Sequence, residues 1–327
     1  MSGENFYIDE PVVVSAGFFE LGWFLQRAQA YWRHIAKNEY PDHKFLIFCN
    51  PHLHVFVNDF VYATIAGPKW LADLNLDYDS YEMVEHNSPS GSLTPPLVYS
   101  RLLNYYRKHY NRDKAIELWM PRGCNYFLDN CPQLFCKFGV ETPTVSFDKD
   151  VIVLFPRARS RASNRNVPHY VWYELLTKLC KNFIVVLAGT PSGACLGDIE
   201  GENIINMIQY NEPDKTNKII EYLNLAKCSI SSQSGGTHIS LLSGCPSYII
   251  GHEGHRHCIV ENRLQTPTAF RNVIDYRAID SNTIYNDVLG FIKQLNEAQE
   301  TKDKEADTDL VIKDSIDSME NIINEQQ

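Results

Sequence analysis

An α/β fold with two parallel sheets follows from three observations on this chain. Short, continuously apolar runs such as KFLIFCN (44–50), VIVLFP (151–156) and FIVVLAG (183–189) read as strands buried on both faces. They alternate with segments of helical spacing, the β-α-β order that a parallel sheet requires. The alternation resets near residues 142–150, and 327 residues suit two domains of roughly 150 each. The expected organisation is an N-terminal domain over 1–148, a second over 149–295, and an acidic tail over 296–327.

The first half opens with a strand at Val12–Ala16. A Gly-bounded turn leads into residues 18–39, where Leu21, Phe24, Leu25, Ala28, Tyr31, Trp32 and Ile35 recur at helical spacing and predict a buried helix. Pro41 and Asp42 end it ahead of the strand at 44–50. Residues 85–96 (EHNSPSGSLTPP) are loop by composition, and a helix over 98–109 and a strand over 115–120 follow.

The second half starts with the strand at 151–156. An Arg-rich loop, a helix over 169–181 and the strand at 183–189 come next. Further elements are a strand at 204–208, a helix over 217–226, a strand at 228–231, a helix over 237–243 and a strand at 247–250. In the tail, Ile312, Ile316, Met319 and Ile323 fall at helical spacing, whereas its polar start reads as disordered.

Charge and cysteine usage restrict the setting. Of the net −10, the tail carries −7, so the body is close to balanced and has no general electrostatic footprint for nucleic acid. No apolar run approaches the roughly 18 residues of a membrane span. The opening MSGENFYIDE lacks a secretory pattern, and nine cysteines without any CxxC read as free or buried thiols, Cys131 and Cys136 included. A cytoplasmic protein is expected.

The chemistry-bearing residues gather in the second half. In SSQSGGTHISLLSGCP (231–246), an apolar run ends in a Ser/Gly turn that opens onto a helix, whose first N–H groups have no intrahelical partner. Gly235 and Gly236 permit close backbone approach, while Ser231, Ser232, Ser234 and Thr237 offer hydroxyls to an anion or to the helix cap. His238 is placed to donate to a phosphate oxygen or carry charge near a leaving group; a buried structural histidine is the competing role. Arg157, Arg159, Arg161 and Arg165 follow a strand end and form either an anion clamp or a solvated loop. Gly189, ending the next strand, and Glu253, after the strand at 247–250, lie where open α/β sheets bind ligands. In GHEGHRHC (251–258) the two histidines of H-E-x-H are three residues apart, not the four of a zinc helix, so no metal is expected.

FPRARSRASNRNVPHYVWYELLTKL, FIVVLAG and SSQSGGTHISLLSGCPSYIIGHE resemble the donor domain of GT-B glycosyltransferases, in particular the heptosyltransferase-like group, glycosyltransferase family nine. The similarity spans residues 151–253 and departs at Gln233, where that group commonly has Asp, and at the arginine loop, where Lys and Thr are usual. It implies two Rossmann-like domains facing each other across a cleft. It also implies a nucleotide-diphosphate sugar as donor, a glycan or other hydroxyl acceptor, inversion, and no metal or other cofactor. Such enzymes keep the base in the first strand-to-helix loop of the N-terminal domain; here that loop is SAGFFELGWFL, and Glu20 is the candidate. A carboxylate beside aromatic walls suits proton abstraction, and an acidic residue in a first helical turn also has a purely electrostatic use. The expected donor residues are Arg157, Arg159, Arg161, Arg165, Gly189, Ser232, Ser234, Gly235, Gly236, Thr237 and Glu253, with His238 beside Glu20 in the chemistry. A non-hydrolysing nucleotide-sugar epimerase and a non-catalytic binder are the alternatives. A dinucleotide-dependent dehydrogenase is disfavoured because no G-x-G-x-x-G follows either first strand.

Overall fold

The computed structural model describes residues 10–17, 21–68, 96–109, 115–118, 131–139, 145–160, 162–258, 263–301 and 304. It divides into a unit of Met1–Ile279 and a unit of Asp280–Gln327.

The larger unit contains two wholly parallel sheets. In the first, β1 (Val12–Ala16) lies between β2 (Lys44–Phe48) and β4 (Ala115–Glu117), with β3 (Ala63–Ile65) outside β2. Val14 pairs with Leu46 on one side and Glu117 on the other. The chain therefore leaves β1 toward β2 and β3 and later returns to its opposite edge, so the sheet switches direction between β1 and β4. Every residue of β1 is buried, as the unbroken apolar run requires.

The second sheet has six strands in the order β10-β9-β8-β5-β6-β7. These are β5 (Val151–Phe155), β6 (Ile184–Leu187), β7 (Ile204–Asn206), β8 (Cys228–Ser232), β9 (Ser247–Gly251) and β10 (Thr268–Asn272). Its reversal falls between β5 and β8, and the crevice at their carboxyl ends is where such sheets bind ligands. Two strands were not foreseen. β3 has three residues, and β10 (TAFRN) is half-buried on an edge, so neither has the apolar run by which the others declare themselves.

The long first helix also departs from expectation. It runs as α1 (Leu21–Trp23), a π-helical turn (Phe24–Ala28) and α2 (Gln29–Asn38). π-turns within helices frequently mark functional sites. Phe24 and Trp32, both fully buried, pack edge to face at 5.8 Å, and burying a side chain such as Phe24 contributes roughly 1.5–3 kcal/mol.

Arg33 of α2 is the charged residue that the apolar pattern concealed. Its guanidinium is fully buried, and it donates to Asp59 from Nε (2.9 Å) and Nη2 (3.0 Å), to the Phe56 carbonyl (3.0 Å) and to the Leu134 carbonyl (3.1 Å). Lys37 adds a second cation to Asp59 at 2.9 Å. Burial would raise the Asp59 carboxyl, but hydrogen bonds from Arg33 and Lys37 outweigh it and hold the group below its usual range.

Residues 131–139 fasten the two sheets' flanking helices together. The Leu134 amide donates to Ala30 O at 2.9 Å, and the Phe138 amide donates to Leu242 O at 2.7 Å. After α3 (Pro96–His109) and α4 (His169–Leu179) comes α5 (Lys215–Leu225), whose Asn224 donates to the carbonyls of both Phe138 and Ser243. Cys131 is disulfide-bonded, which corrects the expectation of free thiols at that position. Pairing depends on the approach of Cβ atoms in space, which spacing does not report. Cys49, Cys136, Cys180, Cys195, Cys228 and Cys245 are free thiols.

In the smaller unit, residues 281–301 form a helix whose start is capped by Asp280, which accepts from the Thr283 amide and hydroxyl at 2.9 Å each. The polar opening of the tail is thus helical through residue 301, where disorder was expected. The amphipathic segment at 312–323 lies outside the described residues, as does the loop at 85–95. Among the described residues, no helix is long and apolar enough to cross a membrane.

Candidate functional site

The Ser/Gly corner forms at the direction-switch of the second sheet. β8 ends at Ser232, and helix α6 (Gly235–Leu242) begins at the glycine pair, two residues earlier than spacing suggested. Ser234 occupies the cap position in an extended conformation, and its side chain makes no capping bond. The Gly235 and Gly236 N–H groups, first in the helix, have no intrahelical acceptor. Gly236 is seated on the Phe155 ring so closely that a Cβ there would lie 2.4 Å from Cδ1.

The hydroxyls of the corner divide into two groups. Thr237 Oγ1 donates to the Ser232 carbonyl at 2.9 Å and meets Ser231 Oγ at 2.8 Å, so both side chains brace the turn from inside. Ser232 differs. Its hydroxyl is completely buried and has no hydrogen-bond partner among the described residues, a state that costs about 1–3 kcal/mol.

His238 is buried within α6, and its Nδ1 likewise has no partner. Burial pushes its pKa down to about 4. The imidazole is therefore neutral at neutral pH, which excludes the charged role and leaves donation from an uncharged ring and a buried structural histidine.

Gln233 holds the next loop. It is 5% exposed; its Nε2 donates to the His252 carbonyl (3.2 Å) and its Oε1 accepts from the His252 amide (3.0 Å). Gly251 makes room, since a Cβ there would lie 2.5 Å from Gln233 Cδ. The departure from Asp at this position thus has a structural use: an amide that donates and accepts at once continues the sheet's pairing one residue beyond β9.

The arginine loop does not converge on one point. Arg157 is buried, with Nη1 donating to the Ala162 carbonyl at 3.1 Å and to the Asn166 side chain, so it braces the loop. Asn166 Nδ2 closes the same loop by donating to Arg159 O at 2.8 Å. The Arg159 stem packs beside Gly193, 3.6 Å from where a Cβ would stand, on the β6 side. Arg165 lies at the opposite end, in the short helix Ser163–Arg165, facing the segment after β10. Arg161 is outside the described residues.

Gly189, two residues beyond β6, adopts φ +149°, a conformation that admits glycine, and a Cβ there would lie 2.7 Å from Ala194 Cβ. Its evident use is the turn. Glu253 is solvent-facing, its side chain 56% exposed, and pairs with Arg256 at 3.5 Å.

Glu20 lies outside the described residues. Its neighbour Leu21 is placed: a Cβ on Gly235 would stand 3.4 Å from Leu21 Cδ2 and 3.6 Å from the Gly22 amide nitrogen. The loops at the direction-switch of each sheet therefore end in helices whose first residues touch. Among the described residues, no three His, Cys, Asp or Glu side chains converge as a metal site would require.

No protein-family model matches the sequence, and no curated protein is significantly similar to it. Solved structures are similar in fold. ADP-heptose lipopolysaccharide heptosyltransferase II of Escherichia coli superposes with a TM-score of 0.55 at 14% identity, over 87% of this chain and 99% of that one. A glycosyltransferase family 9 protein of Veillonella parvula gives 0.49 at 9% identity, over 89% and 99%. The E. coli heptosyltransferase WaaC with ADP gives 0.46 at 12% identity, over 86% and 99%. Two parallel sheets whose switch-point helices meet at their first residues, together with the superposition on heptosyltransferase II, establish that this chain has the two-domain, Rossmann-like GT-B fold.

Proposed function

We propose that this chain is a glycosyltransferase that moves a sugar from a nucleotide-diphosphate donor to a hydroxyl acceptor, with inversion and without a metal ion. The observation that carries the reading is the contact of Gly235 with Leu21 and Gly22, because it sets a helix start built for an anion against the start of α1, the two residues that follow Glu20 in sequence. ADP-heptose in the name of the similar heptosyltransferase II agrees with a nucleoside-diphosphate sugar as the donor class.

In this mechanism the α6 amides at Gly235 and Gly236 and the hydroxyl of Ser234 bind the diphosphate. Arg159 and the positive end of the helix meet the charge that develops as the diphosphate leaves. Glu20 accepts the acceptor's proton while the hydroxyl oxygen attacks C1 and the C1–O bond to the diphosphate breaks. His238, uncharged, donates to a phosphate oxygen.

The test is release of nucleoside diphosphate from a panel of nucleotide sugars supplied with hydroxyl acceptors. Glu20→Gln is expected to lower kcat by about 10²–10⁴ while donor Kd is kept. Equal turnover by the variant removes Glu20 from the mechanism. An isomerised donor in the absence of acceptor points to an epimerase, and donor binding without turnover points to a binder.

A further inference from the structure

A second cleft, of about 740 Å³, opens at the carboxyl ends of β9 and β10. Arg165 and His252 face Tyr276 and Arg277 across it, with Ser163 and Asn164 at the rim. Its cations are not equivalent. The Arg277 guanidinium is engaged by Asp275, from Nε at 3.1 Å and from Nη2 at 3.4 Å. Arg165 is half-buried, and its guanidinium has no acceptor or ion-pair partner among the described residues. A guanidinium that lines a cleft with no protein acceptor is available to an oxyanion there through charge-assisted, bidentate bonds. His252 lines the same cleft. Its Nδ1 accepts from the Gly254 amide at 3.0 Å, so the neutral ring carries its proton on Nε2. The Gln233 amide fixes the His252 backbone, so the ring is presented from a braced position.

We propose that this cleft is an anion subsite separate from the α6 corner, taking a carboxylate or phosphate group carried by the acceptor or by the transferred sugar. The identity of the carrier rests on the glycosyltransferase reading; the anion subsite itself does not. Arg165 and Arg159 then serve opposite ends of one loop, Arg159 beside the β6 turn and Arg165 here. Two anion sites on either side of Arg157 explain an arginine count that a single diphosphate does not need.

The experiment follows the imidazole ¹⁵N and ¹H resonances of His252 in the full chain, assigned by their loss in His252→Gln, during titration with inorganic phosphate and with acetate. A saturable shift is expected, with Kd weakened at least about tenfold in Arg165→Gln and part of the affinity kept in Arg165→Lys. An unchanged melting temperature checks that the variants fold. No response at His252, or an equal response in Arg165→Gln, overturns the subsite. Saturating nucleoside diphosphate is expected to leave the phosphate response intact, and its loss would assign the cleft to the donor nucleotide and overturn a separate site. Failure of every nucleotide to bind removes the glycosyltransferase reading while leaving the phosphate titration to stand or fall alone. With the subsite present, a nucleotide hexuronate that shifts His252 where the matching hexose does not puts the anion on the donor sugar; identical behaviour puts it on the acceptor.

Discussion

Gly235, the first residue of α6, lies against Leu21, the first residue of α1: a Cβ on the glycine would be 3.4 Å from Leu21 Cδ2. This contact joins the helix starts that follow the switch-point strands of two different sheets. It places the segment following Glu20 beside the amides proposed to hold the diphosphate.

The two glycines of the corner are predicted to respond differently to alanine. At Gly236 the added methyl would sit 2.4 Å from the Phe155 ring, which is buried at the end of β5 and must shift. Gly236→Ala is expected to lose about 1–3 kcal/mol in urea unfolding. Gly235→Ala meets its nearest atoms at ordinary contact distance and is expected to stay within about 0.5 kcal/mol of wild type. Equal losses would mean that the Phe155 seat is not the constraint.

Arg33 is fully buried and Asp59 is its partly exposed counter-ion, so it is loss of the carboxylate that strands a buried charge. Asp59→Ala is expected to destabilise the fold by about 3–5 kcal/mol, read from the chemical denaturation midpoint. The Asp59 carboxyl is held below its ordinary pKa, so its contribution is present above the unfolded value and is lost as pH falls through the folded one. Acid stability should therefore decline below about pH 4 more steeply in wild type than in Asp59→Asn. Parallel acid limbs would contradict the pair's role.

His238 carries the opposite proton preference from a paired histidine. Its pKa falls from 6.5 to about 4 through burial, so the unfolded chain binds the proton more readily. Stability from the neutral ring is complete above pH 6.5 and is withdrawn as pH drops toward 4, by an amount on the order of 3 kcal/mol. His238→Gln should flatten the stability profile across that window. A profile unchanged by the substitution would show that the ring is not buried neutral.

Most strands of this fold were legible in sequence because parallel strands buried on both faces appear as unbroken apolar runs, as in VIVLF and KFLIF. β3 and β10 were not, since short edge strands need no such run. The corner at 231–238 was legible through its glycines, though its hydroxyls were not sorted: Ser231 and Thr237 bond one another, and Ser232 is the one left unpaired. Arg33 was concealed because a cation on an otherwise apolar helical face is read as a boundary of that face. The arginine loop was read as one clamp because spacing along a loop carries no direction, whereas the fold sends Arg159 and Arg165 to opposite ends. Gln233 was noticed only as a departure, and its use appears once Gly251 and His252 are beside it.

Binding of a nucleoside diphosphate at the start of α6 is measured most directly by calorimetric titration of ADP, GDP, UDP and CDP into wild type and Ser234→Ala. The Ser234 side chain makes no capping bond, so its removal should leave the unliganded fold about as stable as before. At least one nucleotide should bind wild type, and the variant should bind it about tenfold more weakly. Absence of binding by all four, or equal affinity in the two proteins, would contradict the assignment of this corner as the diphosphate site.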